Sequence, residues 1–146
     1  MSTGEEIHIR KMKDSDISSI TSLDKRISGS SRPEMWRSEI QHYLKNNSIC
    51  LVAEIQGQVV GFMIGTVHPW LFGIENGGWI EILGVDPSHT AKGVGKKLGE
   101  KLLEEFKLQK VKTVYTSVKW TSSDLLEFFR TLEMTKSSFI TLKKEL

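Results

Sequence analysis

The chain has one cysteine, three prolines and no apolar run approaching the ~20 residues that would span a bilayer as a helix, and each shortage removes a class of protein. Cys50 stands alone in the run Ile49-Cys50-Leu51-Val52-Ala53, which excludes a disulfide scaffold and reads as a buried strand residue in a reducing compartment, not a nucleophile. Four histidines, His8, His42, His68 and His89, lack His-x-x-x-His spacing, and no Cys-x-x-Cys is present, so no metal site is expected. Charge of one sign is not in excess either. Twenty basic residues against 18 acidic give a net charge of +2, and the lysines between 92 and 112 are interleaved with Glu100, Glu104 and Glu105 as on a solvated helix face, so no nucleic-acid partner is expected. No charged-then-apolar leader opens the sequence, which points to the cytoplasm and to no membrane partner. Repeats and low-complexity tracts are missing. A length of 146 residues then predicts one domain, residues 1–146, large enough to bury its own core.

What is present is an alternation of short strands and amphipathic helices. Residues 7–12 alternate as a half-buried strand, and Asp14 or Ser15 can cap a helix running to about Ile27. After the loop Ser28-Gly29-Ser30-Ser31-Arg32-Pro33, residues 34–45 carry Met35, Trp36, Ile40 and Leu44 at helical spacing. Residues 48–54 and 59–67 read as strands joined at Gln56-Gly57, and residues 79–85 as another strand after a loop from His68 to Gly78. Gly93 to Phe106 predicts a helix with Val94, Leu98, Leu102 and Phe106 on one face, followed by a strand over 112–118. Ser122 or Ser123 can cap a last helix to about Leu132, and residues 138–143 alternate as a short final strand. The fold class expected is α+β, with an antiparallel first half of the sheet and a parallel pair around the glycine turn.

The most informative segment is Val85 to Leu98, where a strand runs through Pro87 into a helix opened by Gly93 and Gly95. A helix start of this kind aims free N–H groups and about half a positive charge at one spot, and the glycines allow close approach. That spot suits a phosphate.

Ile80-Glu81-Ile82-Leu83-Gly84-Val85-Asp86-Pro87 followed by Thr90-Ala91-Lys92-Gly93-Val94-Gly95 resembles the signature of the GNAT superfamily of acyl-CoA-dependent N-acyltransferases. Thr90 replaces the usual Arg or Gln. A second family motif, Asn-x-x-Ala-x-x-Phe-Tyr-x-x-x-Gly-Phe, lies on Ser122 to Met134 with its apolar frame kept, and Leu51-Val52-Ala53-Glu54, Gly57 and Val60-Gly61-Phe62 are similar to the central hairpin. The resemblance covers nearly the full length. It implies a mixed, largely antiparallel sheet with a splayed parallel strand pair, about four flanking helices and, here, a shortened C-terminal hairpin. It further implies acetyl-CoA as acyl donor, with the pyrophosphate on backbone groups of Ala91, Lys92, Gly93, Val94 and Gly95, side-chain charge from Lys92 or Lys96, and a position for Thr90 beside them. Leu83, Gly84 and Val85 would hold the pantetheine arm, Gly84 at a β-bulge, and one N–H there would polarise the thioester carbonyl. Ser122 and Phe129 fall where the second motif contacts the cofactor.

An amine attacks only when neutral, so transfer needs a base. Glu81 is the candidate, expected with Trp79 and Leu83 on one strand face in apolar surroundings that raise its proton affinity. Glu54, placed beside a turn and solvated, and Glu75, in a loop, are its rivals. The family's usual general acid is a Tyr where this chain has Phe129; Tyr115, Thr121 and Ser122 are stand-ins, or the thiolate leaves unassisted. A protein that kept acyl-CoA binding and lost catalysis is the alternative reading. Trp36 is expected in the core, while Arg26, Arg32, Trp70, Phe72 and Glu75 are candidates to wall the acceptor side, which the short C-terminal region leaves open or completed by a second subunit in a homodimer. A peptide or protein amine and a small amine both fit that description.

Overall fold

A computed structural model describes residues 6–46 and 48–146. They divide into two compact units, one ending at Thr116 and one from Ser117 to Leu146.

The first unit is a five-stranded sheet in sequence order, β1 (Ile7–Lys11), β2 (Ile49–Ile55), β3 (Gln58–Leu71), β4 (Ile74–Val85) and β5 (Val114–Tyr115). All neighbours are antiparallel except β4 and β5, which run parallel. Helices α1 (Ile17–Ser28), α2 (Pro33–Lys45) and α3 (Val94–Leu108) belong to this unit, with 3-10 turns at Asp14–Asp16 and Pro87–Lys92. The mixed architecture is the one expected. Strand β2 explains its own sequence: Ile49 to Ala53 are buried without a break, because both faces of this inner strand are covered.

One core joins Ile20 and Leu23 of α1, Trp36 and Ile40 of α2, and Val52, Phe62 and Ile64 of the sheet. Trp36 is a core residue, set edge-on to Phe62 with ring centroids 5.4 Å apart. On the other face, α3 lies close against the sheet over a line of glycines. A Cβ on Gly61 would stand 2.9 Å from Val94 Cγ1, one on Gly65 2.6 Å from Phe106 Cζ, and one on Gly78 3.0 Å from the Phe106 ring. A larger residue at Gly65 would have to displace the Phe106 ring and the Leu102 side chain. Val94, Leu98, Leu102 and Phe106 fill this layer, fully buried, as their spacing predicts.

The structure corrects four expectations about elements. The region from His68 to Gly78 is a hairpin arm, not a loop: β3 and β4 stay paired out to Leu71 opposite Ile74, turning at Phe72 and Gly73 with positive φ. Its Pro and Gly residues mimic loop composition, but the outer end of a hairpin tolerates them. The strand expected over 112–118 shrinks to Val114–Tyr115, because only Gly78 and Trp79 pair with it. Between β4 and β5 the sheet then opens, as the splayed pair requires. Within the second unit, α4 (Ser123–Thr131) is present, but the Ser122 side chain makes no capping hydrogen bond. Residues 138–143 form no strand; Phe139, Ile140 and Leu142 are exposed, and alternation without a partner strand satisfies neither the backbone nor the apolar side chains.

Candidate functional site

Glu81 sits at a break in register. Ile64 of β3 pairs with Ile82, yet its neighbour Gly65 pairs with Ile80, so Glu81 is the extra residue of a β-bulge. The bulge lies there and not at Gly84. Gly84 pairs regularly with Phe62, and its missing side chain serves packing: a Cβ would stand 2.7 Å from Phe62 Cε1 and 3.1 Å from Ile27 Cδ1.

Bulging turns Glu81 away from the apolar company that strict alternation predicts and into a polar cluster. Tyr43, from α2, donates its hydroxyl to Glu81 Oε1 at 3.0 Å, and the Thr66 hydroxyl, from β3, donates to Oε2. Thr66 Oγ1 also lies 3.0 Å from His68 Nε2, and Glu81 Oε2 lies 3.6 Å from the same nitrogen. One hydroxyl proton cannot serve both neighbours, so while Thr66 donates to Glu81 its contact with His68 is one in which Thr66 Oγ1 accepts. The Glu81 side chain remains 34% exposed, so desolvation is not the feature that marks it. Tyr43 is different: burial first, and then its bond to the Glu81 carboxylate, hold the phenol well above its ordinary pKa and keep it a donor. A cavity of about 640 Å³ opens beside this group, lined by the α2 face from Ser38 to Tyr43, by Asn46 just past the helix, and by Thr66, His68 and Glu81.

The rivals of Glu81 lie outside this cluster. Glu54 is not solvated but accepts from Arg10 Nε at 3.1 Å, in a network where Arg10 also grips Asp16. Glu75 is exposed on the hairpin arm. Arg26 and Arg32 are also occupied, Arg26 by Asp86 at 3.1 Å and Arg32 by Asp24 at 2.8 Å. Trp70 and Phe72 are about two-thirds exposed at the arm's tip. Cys50 is buried, which pushes its thiol up to about 11 and leaves it protonated and inert.

Past Gly84, β4 runs into the helix mouth. Asp86 closes its turn by accepting from the Ser88 N–H and hydroxyl at 3.0 and 2.8 Å. Burial would raise the Asp86 pKa, but these two bonds together with Arg26 and His89 hold it low. The 3-10 turn ends at Gly93, whose φ of 80° lies in the left-handed region, and α3 begins at Val94. Its first intrahelical bond runs from Lys97 N–H to the Gly93 carbonyl at 3.1 Å, so Val94, Gly95 and Lys96 present N–H groups with no partner in the helix. The Val94 side chain is fully buried and leaves only its backbone to the mouth. A Cβ on Gly93 meets nothing within 4 Å, so the space before the helix is open. Thr90 spends its hydroxyl on the Pro87 carbonyl at 3.3 Å, while Ala91, Lys92 and Lys96 are exposed. Leu83, Gly84 and Val85 have β3 along one edge and, among the described residues, no strand along the other. This edge and helix mouth fit an anionic ligand with an amide-bearing arm: main-chain donors, and a backbone ladder left unpaired among the described residues. Tyr115 stacks on Trp79 at 4.9 Å. In the second unit Phe129 is buried and packs edge-on with Phe128, centroids 5.0 Å apart.

Sequence reasoning missed Tyr43, Thr66 and His68. The only available signal was Thr66 and His68 two apart on one strand face, and it needed the hairpin arm to be recognised as strand.

The Acetyltransferase (GNAT) family model matches residues 16–133. No curated protein matches significantly. Among solved structures, the aminoglycoside N-acetyltransferase AAC(6')-Iy in complex with CoA superposes with a TM-score of 0.83 at 14% identity, over 96% of this chain and 95% of that one. A transcriptional regulator from Bacillus halodurans C-125 gives 0.82 at 20% identity, over 97% and 100%. An acetyltransferase of Trypanosoma brucei gives 0.76 at 22%, also over 97% and 100%. At such identities the structural likeness is one of fold. Among the described residues no helix is long and apolar enough to cross a membrane.

Proposed function

Because the chain belongs to the GNAT acetyltransferase family, we propose that it transfers an acetyl group from acetyl-CoA to a primary amine, by direct attack in a ternary complex. The observation that carries the reading is the setting of Glu81: a bulged carboxylate, held by Tyr43 and Thr66, opening on a cavity, on the strand that continues into the helix mouth at Gly93. Acetyl-CoA, when bound, supplies an activated acetyl thioester.

The chain's own groups would do the rest. Backbone N–H groups from Ala91 to Gly95 bind the pyrophosphate, with Lys92 and Lys96 adding charge, and the open edge at Leu83, Gly84 and Val85 takes the amide arm and gives one N–H to the carbonyl. Glu81 accepts the proton of the incoming ammonium, directly or through one water, and Tyr43 and Thr66 fix its direction. As the amine nitrogen bonds to the acetyl carbon the C–S bond breaks, and CoA leaves as the thiolate, since Phe129 has no proton to give. Thr90 is dispensable here because the cradle is made of main chain.

An acetyl-CoA turnover screen over small amines, aminoglycosides and lysine peptides tests the reading, with Glu81→Gln as control. CoA release that depends on an acceptor and drops in the variant supports it. Acetyl-CoA binding without release under any acceptor would favour a non-catalytic acyl-CoA sensor.

A further inference from the structure

We infer that the cavity beside Glu81 is a site for a small amine with at least two positive charges, in which Glu39 holds the ammonium that is not acetylated. The inference rests on the transferase reading and adds the class of acceptor.

Glu39 and Tyr43 are one helical turn apart on α2, so their side chains are neighbours on the face that lines the cavity. Tyr43 in turn holds Glu81 at 3.0 Å, which sets the phenol between two carboxylates, and both contribute to its raised pKa. The carboxylates differ in one respect. Both oxygens of Glu81 are engaged by hydroxyls, whereas Glu39, half-buried, has neither a hydrogen-bond nor an ion-pair partner among the described residues. The rest of the lining is serine, asparagine, threonine, valine and two histidines. Neither lysine nor arginine lines the cavity, although the chain carries 20 of them.

A partly desolvated carboxylate without a partner attracts a cation, and a single ammonium delivered to Glu81 would leave Glu39 unmatched. A second ammonium on the same molecule satisfies both. The volume, about 640 Å³, is that of a small-molecule site. A linear polyamine and an aminocyclitol share this chemistry, whereas a lysine side chain brings only one charge inside.

Calorimetric titration of the full chain with spermidine, neamine, propylamine and a blocked lysine tripeptide tests the proposal without turnover. At least one of the two polycations should bind about tenfold or more tightly than propylamine and the tripeptide, and Glu39→Gln should weaken it by about tenfold, the usual scale for one semi-buried charge contact. Which of the two binds tells the linear from the cyclic source. An unchanged melting temperature shows that the variant folds, and a steeper loss of affinity with salt for the polycation gives an independent reading of the second charge. Equal binding of propylamine, preference for the tripeptide, or indifference to Glu39→Gln overturns the proposal. Acetyl-CoA turnover in the same samples separates the two readings: a bound polycation with no CoA released refutes the transferase and leaves the dication site standing.

Discussion

Substitution of Gly93 by alanine should destabilise the first unit and weaken acetyl-CoA binding, through separable causes. Gly93 has φ 80° and ψ 15°, a conformation that costs an L-residue about 1–2 kcal/mol. Alanine recovers about 0.4–1 kcal/mol by making the unfolded chain less flexible, which leaves a net loss between about 0 and about 1.6 kcal/mol, with its centre at about 0.8 kcal/mol. Nothing lies within 4 Å of the new Cβ, so no collision adds to this figure. Urea unfolding reads the loss directly, and Gly93→Asn, which tolerates the left-handed region, should recover part of it. Acetyl-CoA affinity, measured by titration, should fall about tenfold, the order expected when a phosphate loses its seat at a helix N-terminus. A variant more stable than the parent refutes the strained turn. A destabilised variant with unchanged affinity refutes the cradle while leaving the turn intact.

Glu81→Gln should lower kcat/KM about 100-fold or more, since it removes the base, with acetyl-CoA still bound; a loss under about threefold would discard Glu81 as the base. Gly65→Ala should cost about 1–3 kcal/mol in urea unfolding, because its Cβ would press on Phe106 at 2.6 Å; a neutral result would mean that α3 is less closely seated than described. Acid should unfold the protein through Asp16, Asp24 and Asp86, whose pKa values lie below 3.8 in the folded state, held down by Arg10 for Asp16, by Arg32 for Asp24 and, against burial, by Ser88 for Asp86. Stability from a depressed carboxylate is complete above its unfolded value and lost as pH falls through the folded one, so urea midpoints should be level above about pH 5 and decline below about pH 4. Asp24→Asn should make that decline shallower.

The parts of the fold legible in the sequence are those written in one segment. The apolar faces of α3 and of Ile49 to Ala53, and the glycine turn at Gly93, each carry their own period or conformational demand. Features shared by two segments were out of reach. The bulge at Glu81 exists only as a register difference between β3 and β4, so the sequence could suggest a bulge and misplace it at Gly84, whose real partner is the Phe62 ring. Tyr43 meets Glu81 across 38 positions and Thr66 across 15, contacts that no local pattern encodes. The absent strand over 138–143 is the converse case: a correct local pattern with no partner to give it meaning.

The glycines beneath α3 couple the ligand to the whole sheet. A helix mouth at the end of a loosely held helix could breathe without cost to the rest, but Gly61, Gly65 and Gly78 let this one rest on β3 and β4 at contact distance along its length. A shift of its first turn would press Val94 and Leu98 against β3 at Gly61. Occupation of the mouth should therefore slow amide exchange far from it, at β3 and at the C-terminal end of α3 around Phe106, as strongly as at Val94. Equal slowing at both ends of the helix would show that it and the strands beneath it open together; slowing confined to Val94 would show that the mouth opens by itself.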